Sequence, residues 1–113
     1  MSSSNGRKGR AGEERAAGLL EAAGYSIVRR NLRLPGGEID LVCRDGDTIV
    51  FVEVKARSNR RFGSAISGVD ARKRRTLRRL AEDYVQIVAP NARVRFDVVA
   101  VDGERMTLHR NAF

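Results

Sequence analysis

Apolar positions recur along this chain with two periods, and the switches between them mark its elements. Ala16, Leu19, Leu20 and Ala23 lie at helical spacing, predicting a helix from about Gly9 to Ala23 that Gly24 closes. The polar, serine-rich residues 1–8 carry no such stripe and are expected to be disordered. Tyr25 to about Leu34 reads as a strand holding Ile27 and Val28, and Pro35-Gly36-Gly37 as a turn. A hairpin follows over about 38–44 and 48–57. Its second strand is almost continuously apolar from Ile49 to Val52, which predicts a central strand covered on both faces.

Ser58 to about Gly68 is polar, basic and glycine-containing, which predicts a loop near the charged end of the hairpin. Ser67 with Asp70 resembles a capping box that opens a second helix running to roughly Val88. Leu77, Leu80, Ala81, Tyr84, Val85 and Val88 form its apolar stripe, and Pro90-Asn91 ends it. Arg93 to Val101 reads as a strand, and Asp102-Gly103 turns it into a last strand from Met106 to about Arg110. The order α-β-β-β-α-β-β mixes hairpins with one helical crossover. It predicts a single α/β domain over residues 9–113, a mixed sheet with flanking helices.

Two short strings give the hairpin its chemistry, Gly37-Glu38-Ile39-Asp40 and Val52-Glu53-Val54-Lys55. Between them Asp45-Gly46 is a tight-turn signal. With those two residues at the centre of the turn, Arg44 faces Asp47, Asp40 lies opposite Phe51, and Glu38 lies opposite Glu53. A four-residue loop from Asp45 to Thr48 instead sets Asp40 opposite Glu53. Either register places Glu38, Asp40, Glu53 and Lys55 on one face, whereas a three-residue loop would split them across the sheet. Any one of these acids alone would read as a surface residue, with Lys55 as a salt-bridge partner.

The four together point to a metal site. Unit charges about 4 Å apart repel by roughly 4 kcal/mol at an effective dielectric near 20. Converging acids therefore call for a compensating cation or a raised pKa. Mg2+ or Mn2+ suits carboxylate oxygens, polarises a phosphoryl oxygen and acidifies a bound water. Lys55 would hold that water or meet charge building on the phosphate.

Charge extends the picture beyond the hairpin. The 113 residues carry 22 Lys and Arg against 14 Asp and Glu, a formal charge of +8, with a pI near 10.9. That excess favours a polyanionic partner. A membrane is disfavoured, because no apolar run approaches the roughly 20 residues of a spanning helix. The first residues lack a secretory h-region and Cys43 is a lone thiol, so a cytoplasmic location is expected. Arg72, Lys73, Arg74, Arg75 and Arg78 crowd the second helix, and Arg57, Arg60 and Arg61 follow the motif strand. A solvated face is the ordinary reading of such runs, but their uniform sign favours contact with a phosphate backbone. Aromatic residues are too few for a stacking platform on single strands. His109 has no second His or Cys partner set for zinc, and Asp97 reads as a strand salt bridge to Arg95 or another strand. Glu13 and Glu14, taken alone, read as acids favoured at a helix N-terminus.

The Asp40 and Glu53-Val54-Lys55 pattern is similar to that of PD-(D/E)XK nucleases. More closely, the chain resembles the YraN-like family of small bacterial proteins, placed near archaeal Holliday-junction resolvases. Gly9-x-x-Gly12-Glu13, Gly24-Tyr25, Arg30-Asn31, the Gly-Glu-Ile-Asp and Val-Glu-Val-Lys runs, Lys73-Arg74 and Arg95-Phe96-Asp97-Val98-Val99 carry the likeness. It implies a restriction-endonuclease-like fold, Asp40 and Glu53 on the metal, Lys55 as catalytic lysine, and Glu13 as a further acidic ligand. Pro35-Gly36-Gly37-Glu38 stands where the signature has an adjacent Pro-Asp pair, so the match rests on Asp40, Glu53 and Lys55.

The function expected is a Mg2+- or Mn2+-dependent endonuclease on structured or branched DNA. The Val54 carbonyl would complete the ion's shell, and a homodimer would serve two strands at once. The alternative is a non-catalytic nucleic-acid-binding protein that keeps the fold. A third is an adaptor binding another protein through the edge of the last strand, which the charge disfavours.

Overall fold

The computed structural model of the protein describes residues 3–56 and 71–113, with side chains from Ala11 onward in the first segment. The expected capping box at Ser67 and Asp70, and the basic positions Arg57, Arg60 and Arg61, lie outside the described residues. Elsewhere the chain runs α1 (Ser3–Ala22), β1 (Ser26–Leu34), β2 (Gly37–Asp45), β3 (Thr48–Ala56), α2 (Ala71–Val88), β4 (Arg93–Asp102) and β5 (Arg105–His109). This is the predicted order. Helix α1 begins at Ser3 rather than near Gly9, because an apolar stripe marks only the buried part of a helix. Gly24 ends it, and the Tyr25 N–H returns to the Leu20 carbonyl at 2.9 Å.

Among the described residues the sheet has five strands in the order β1-β2-β3-β4-β5. Neighbours are antiparallel except β3 and β4, which are parallel and joined through α2. Helix α2 covers one face, where Leu77, Leu80, Tyr84 and Val85 meet Ile49, Phe51, Phe96 and Val98. On the other face Ala16 and Leu20 of α1, with Tyr25, meet Leu41, Cys43, Val50, Val52, Val99 and Val101. Strand β3 is therefore buried on both sides, as its unbroken apolar run predicts.

The hairpin turn differs from the Asp45-Gly46 expectation by one residue. Asp45 pairs with Thr48, leaving Gly46 and Asp47 at the centre. Gly46 has a φ of 62°, which suits the first central position of a turn matched to strand twist and is unfavourable for a residue with a Cβ. The adopted register is the one that directs Asp40 toward Glu53.

Alternation also breaks in the β1–β2 pair, at a bulge between Ile27 and Arg29 and again beside Asp40. Ile39 joins the α2-side core while Leu41, two residues on, joins the α1-side core. Across from them on β1, Arg30 pairs with Leu41 and Leu32 with Ile39. Between these pairs stands Asn31 with a φ of 52°, a left-handed conformation that Asn tolerates better than most residues. Both strands thus exchange faces at Asn31 and Asp40, and the exchange frees Asp40 from the regular pleat.

Candidate functional site: a carboxyl cluster at the end of β3

The described β2–β3 pairs run from Asp45–Thr48 to Leu41–Val52. Beyond them the Val54 N–H donates to Asp40 Oδ2 at 2.8 Å. This fixes one oxygen of Asp40 beside the C-terminal end of β3 and next to Glu53. Glu53 lies on β3 two residues after Phe51 and is 8% exposed. From α2, Lys73 reaches its Oε2 with Nζ at 3.4 Å. The third acid arrives from α1, where Glu13 stands in the helix just before the buried Ala16 and Ala17. Glu13 Oε1 is buried without a hydrogen-bond partner.

The three carboxyls perturb one another. Burial, then the Asp40 charge, pushes Glu13 up to about 7, with Glu38 adding and the Asn31 side chain opposing. Burial, then the Asp40 charge, likewise pushes Glu53 up to about 7, with Lys73 opposing. Burial raises Asp40 above the usual carboxylate range, against the Val54 N–H, Glu53 and Lys73, which favour its ionised form. Without a cation, shared protons relieve the repulsion along Glu13–Asp40–Glu53. Among the described residues no three His, Cys, Asp or Glu side chains stand ready to hold a metal ion as they are.

Glu13, Asp40, Glu53 and Lys55 all line one cavity of about 630 Å³, together with Arg15, Val54 and Val101. The four residues that the sequence put in one site are thus brought together, from α1, β2 and β3. Glu38 stands at the margin. It pairs with Arg33 across 3.4 Å, and its charge is felt at both Glu13 and Asp40.

The basic residues of α2 do not act as one block. Lys73 is held by Glu53. Arg74 lies over the Phe113 ring at 5.6 Å, and Arg78 over Phe96 at 5.2 Å. Arg72 and Arg75 are exposed. Asp97 is fully buried and structural: Tyr25 donates its hydroxyl at 2.6 Å, Arg95 its Nε at 2.9 Å and Asn111 its backbone N–H at 2.9 Å. The predicted Asp97–Arg95 pair is therefore present, and Asp97 is not among the residues lining the cavity.

Sequence reasoning missed three contributors. The charge run predicts a phosphate contact for Lys73, whereas its approach to Glu53 depends on how α2 lies on the sheet. Asn31 left the signal of a turn-favouring residue inside a predicted strand. Arg15 lines the cavity and donates to the Gly103 carbonyl at 2.9 Å, a contact across the whole chain that left no local signal.

Fold and site together define a basic α/β domain with a partly buried carboxyl cluster and a lysine at the end of a central strand. The sequence profile of Uncharacterised protein family UPF0102 matches residues 12–101, and the chain belongs to that family. A UPF0102 protein of Dechloromonas aromatica is 46% identical over 94% of this chain and 88% of its own length. One from Symbiobacterium thermophilum is 48% identical over 95% of this chain and 96% of its own. Another, from Moorella thermoacetica, is 49% identical over 89% and 85% respectively.

Proposed function

We propose that the protein is a Mg2+- or Mn2+-dependent endonuclease of the PD-(D/E)XK type that cuts structured or branched DNA. The single observation that carries this reading is the buried, unpartnered Glu13 Oε1 in a cavity shared with Asp40, Glu53 and Lys55. An unpaired buried carboxyl oxygen is unfavourable. Asp40 and Glu53, which line the same cavity, are further hard oxygen donors. The donor set fits a hard divalent cation, which would satisfy that oxygen and remove the need for shared protons.

Glu13, Asp40 and Glu53 would bind the ion, the last two after releasing the proton between them. The Val54 carbonyl leaves β3 at the same edge as the N–H that meets Asp40, which favours it as a neutral fourth donor. An ion held by these residues would supply Lewis-acid polarisation of a phosphoryl oxygen and would lower the pKa of a bound water. Lys55 orients the attacking water and stabilises charge growing on the phosphate. Arg57, Arg60, Arg61, Arg72 and Arg75 hold the nucleic-acid backbone, consistent with the +8 formal charge. A homodimer belongs to the same reading, since cutting two strands calls for two sites.

A second reading, nucleic-acid binding without cleavage, draws on the fact that no three acids among the described residues are placed to hold a metal ion as they stand. Cleavage of four-way junctions and flaps with Mg2+ or Mn2+ separates the two. Wild-type cleavage lost in Asp40→Asn supports the nuclease. Binding with no cleavage in either metal supports the alternative.

A further inference from the structure

Glu53 is approached from two sides. The cavity side holds Glu13, Asp40 and Lys55. The other side belongs to α2, whose Lys73 places Nζ 3.4 Å from Oε2 and is not among the cavity-lining residues. Helix α2 is fixed there by its own packing, because Leu77, one turn further along, is 3% exposed in the core cluster that also holds Phe51. A buried carboxylate on a stiff strand can still rotate about its side-chain bonds. Holding one of its oxygens leaves the other aimed at a defined point, and carboxylates that ligate ions are commonly held in this way by a second group.

We propose that Lys73 is a positioning residue for the metal site, holding Glu53 Oε2 from the α2 side so that Oε1 is presented toward Asp40 and the cavity. This inference rests on the metal reading above and adds a role for α2 that differs from phosphate contact. A lysine suits the task because its ammonium makes a compact point contact on a flexible stem. In the same turn of α2 the Thr76 hydroxyl donates to the Arg72 carbonyl at 3.1 Å. The strand contributes the ligand and the helix contributes its aim.

The test is calorimetric titration of Mn2+ into wild-type protein, Lys73→Met and Lys73→Arg, without nucleic acid, alongside thermal melts without metal. Loss of an outer contact to a ligand should weaken Mn2+ binding in Lys73→Met by about tenfold or more. Lys73→Arg, which keeps a cation within reach, should recover most of that loss. If Lys73 only braces the fold, Lys73→Met will melt earlier yet bind Mn2+ with wild-type affinity, and the inference fails. Equal or tighter binding in Lys73→Met overturns it as well. If wild-type protein gives no Mn2+ heat, the metal reading itself fails, and the positioning role falls with it.

Discussion

The Val54 N–H meets the Asp40 carboxylate rather than a backbone carbonyl. Hydrogen-bonded pairs alternate along an antiparallel ladder. Counting from Asp45–Thr48, that amide would regularly face the Ile39 carbonyl. The exchange of faces at Asn31 and Asp40 removes that carbonyl and supplies a side-chain acceptor in its place. One carboxylate therefore terminates the ladder and enters the acid cluster, so it has both a structural and a chemical role.

Those two roles separate on substitution. Asp40→Asn keeps an oxygen for the Val54 N–H but loses the charge, so stability should hold while Mn2+ heats and cleavage vanish. Asp40→Ala also leaves that N–H without its acceptor, which should cost a further ~1–3 kcal/mol. Urea denaturation beside calorimetry distinguishes these outcomes. Equal Mn2+ heats for wild type and Asp40→Asn would remove the site hypothesis.

The raised carboxyls predict how stability changes with pH. Glu13 and Glu53 move from an ordinary value of 4.5 to about 7 in the folded protein. Between those values the folded chain holds more protons than the unfolded one. The stabilisation is complete below about pH 4.5 and is lost as pH rises through about 7. Glu53→Gln cannot ionise, so its melting temperature relative to wild type should climb from about pH 5 to about pH 8. Saturating Mn2+ should abolish the wild-type decline, because the ion replaces the protons. A difference that stays flat with pH would contradict the burial of these charges.

Asp97 should behave as a stability residue. It is fully buried and accepts from Tyr25, Arg95 and Asn111. Asp97→Ala leaves a guanidinium and a backbone amide without this partner and should cost about 3–5 kcal/mol. Tyr25→Phe removes only the hydroxyl and should cost about 1 kcal/mol. Mn2+ affinity measured on the folded fraction should not change in either variant.

Gly36 and Gly46 share a positive φ, of 98° and 62°, in different surroundings. A Cβ at Gly36 would collide with the Arg79 guanidinium, while one at Gly46 meets nothing within 4 Å. Gly46→Ala should cost about 1 kcal/mol of backbone strain. The Arg79 side chain is half exposed and can swing aside, so Gly36→Ala should cost about the same strain, and Gly36→Ala with Arg79→Ala should be additive in a double-mutant cycle. A non-additive cycle would show that Arg79 is held in place.

Salt dependence tests the nucleic-acid surface. Arg72→Ala and Arg75→Ala should each weaken duplex binding without regard to sequence and lower the slope of log K against log salt by about one. Arg78, stacked over Phe96 and Phe113, should affect stability as well as binding. Unchanged slopes in the Arg72 and Arg75 variants would exclude that face.

Much of the fold follows from local pattern. The period of Leu77, Leu80, Ala81, Tyr84 and Val85 dictates α2, and the run Ile49 to Val52 dictates a strand buried on both faces. The grouping of Asp40, Glu53 and Lys55 follows too, because a two-residue turn fixes which strand positions can meet. Three-dimensional packing decided the remainder. Parity assumes unbroken alternation, and Asn31 with Asp40 breaks it. Lys73 joins Glu53, and Glu13 joins Asp40, only because each helix settles on its own face of the sheet. Sequence spacing specifies which side chains lie near one another on an element. Which elements meet, and which charges must then share a proton or an ion, depends on burial between them, a property of the assembled fold.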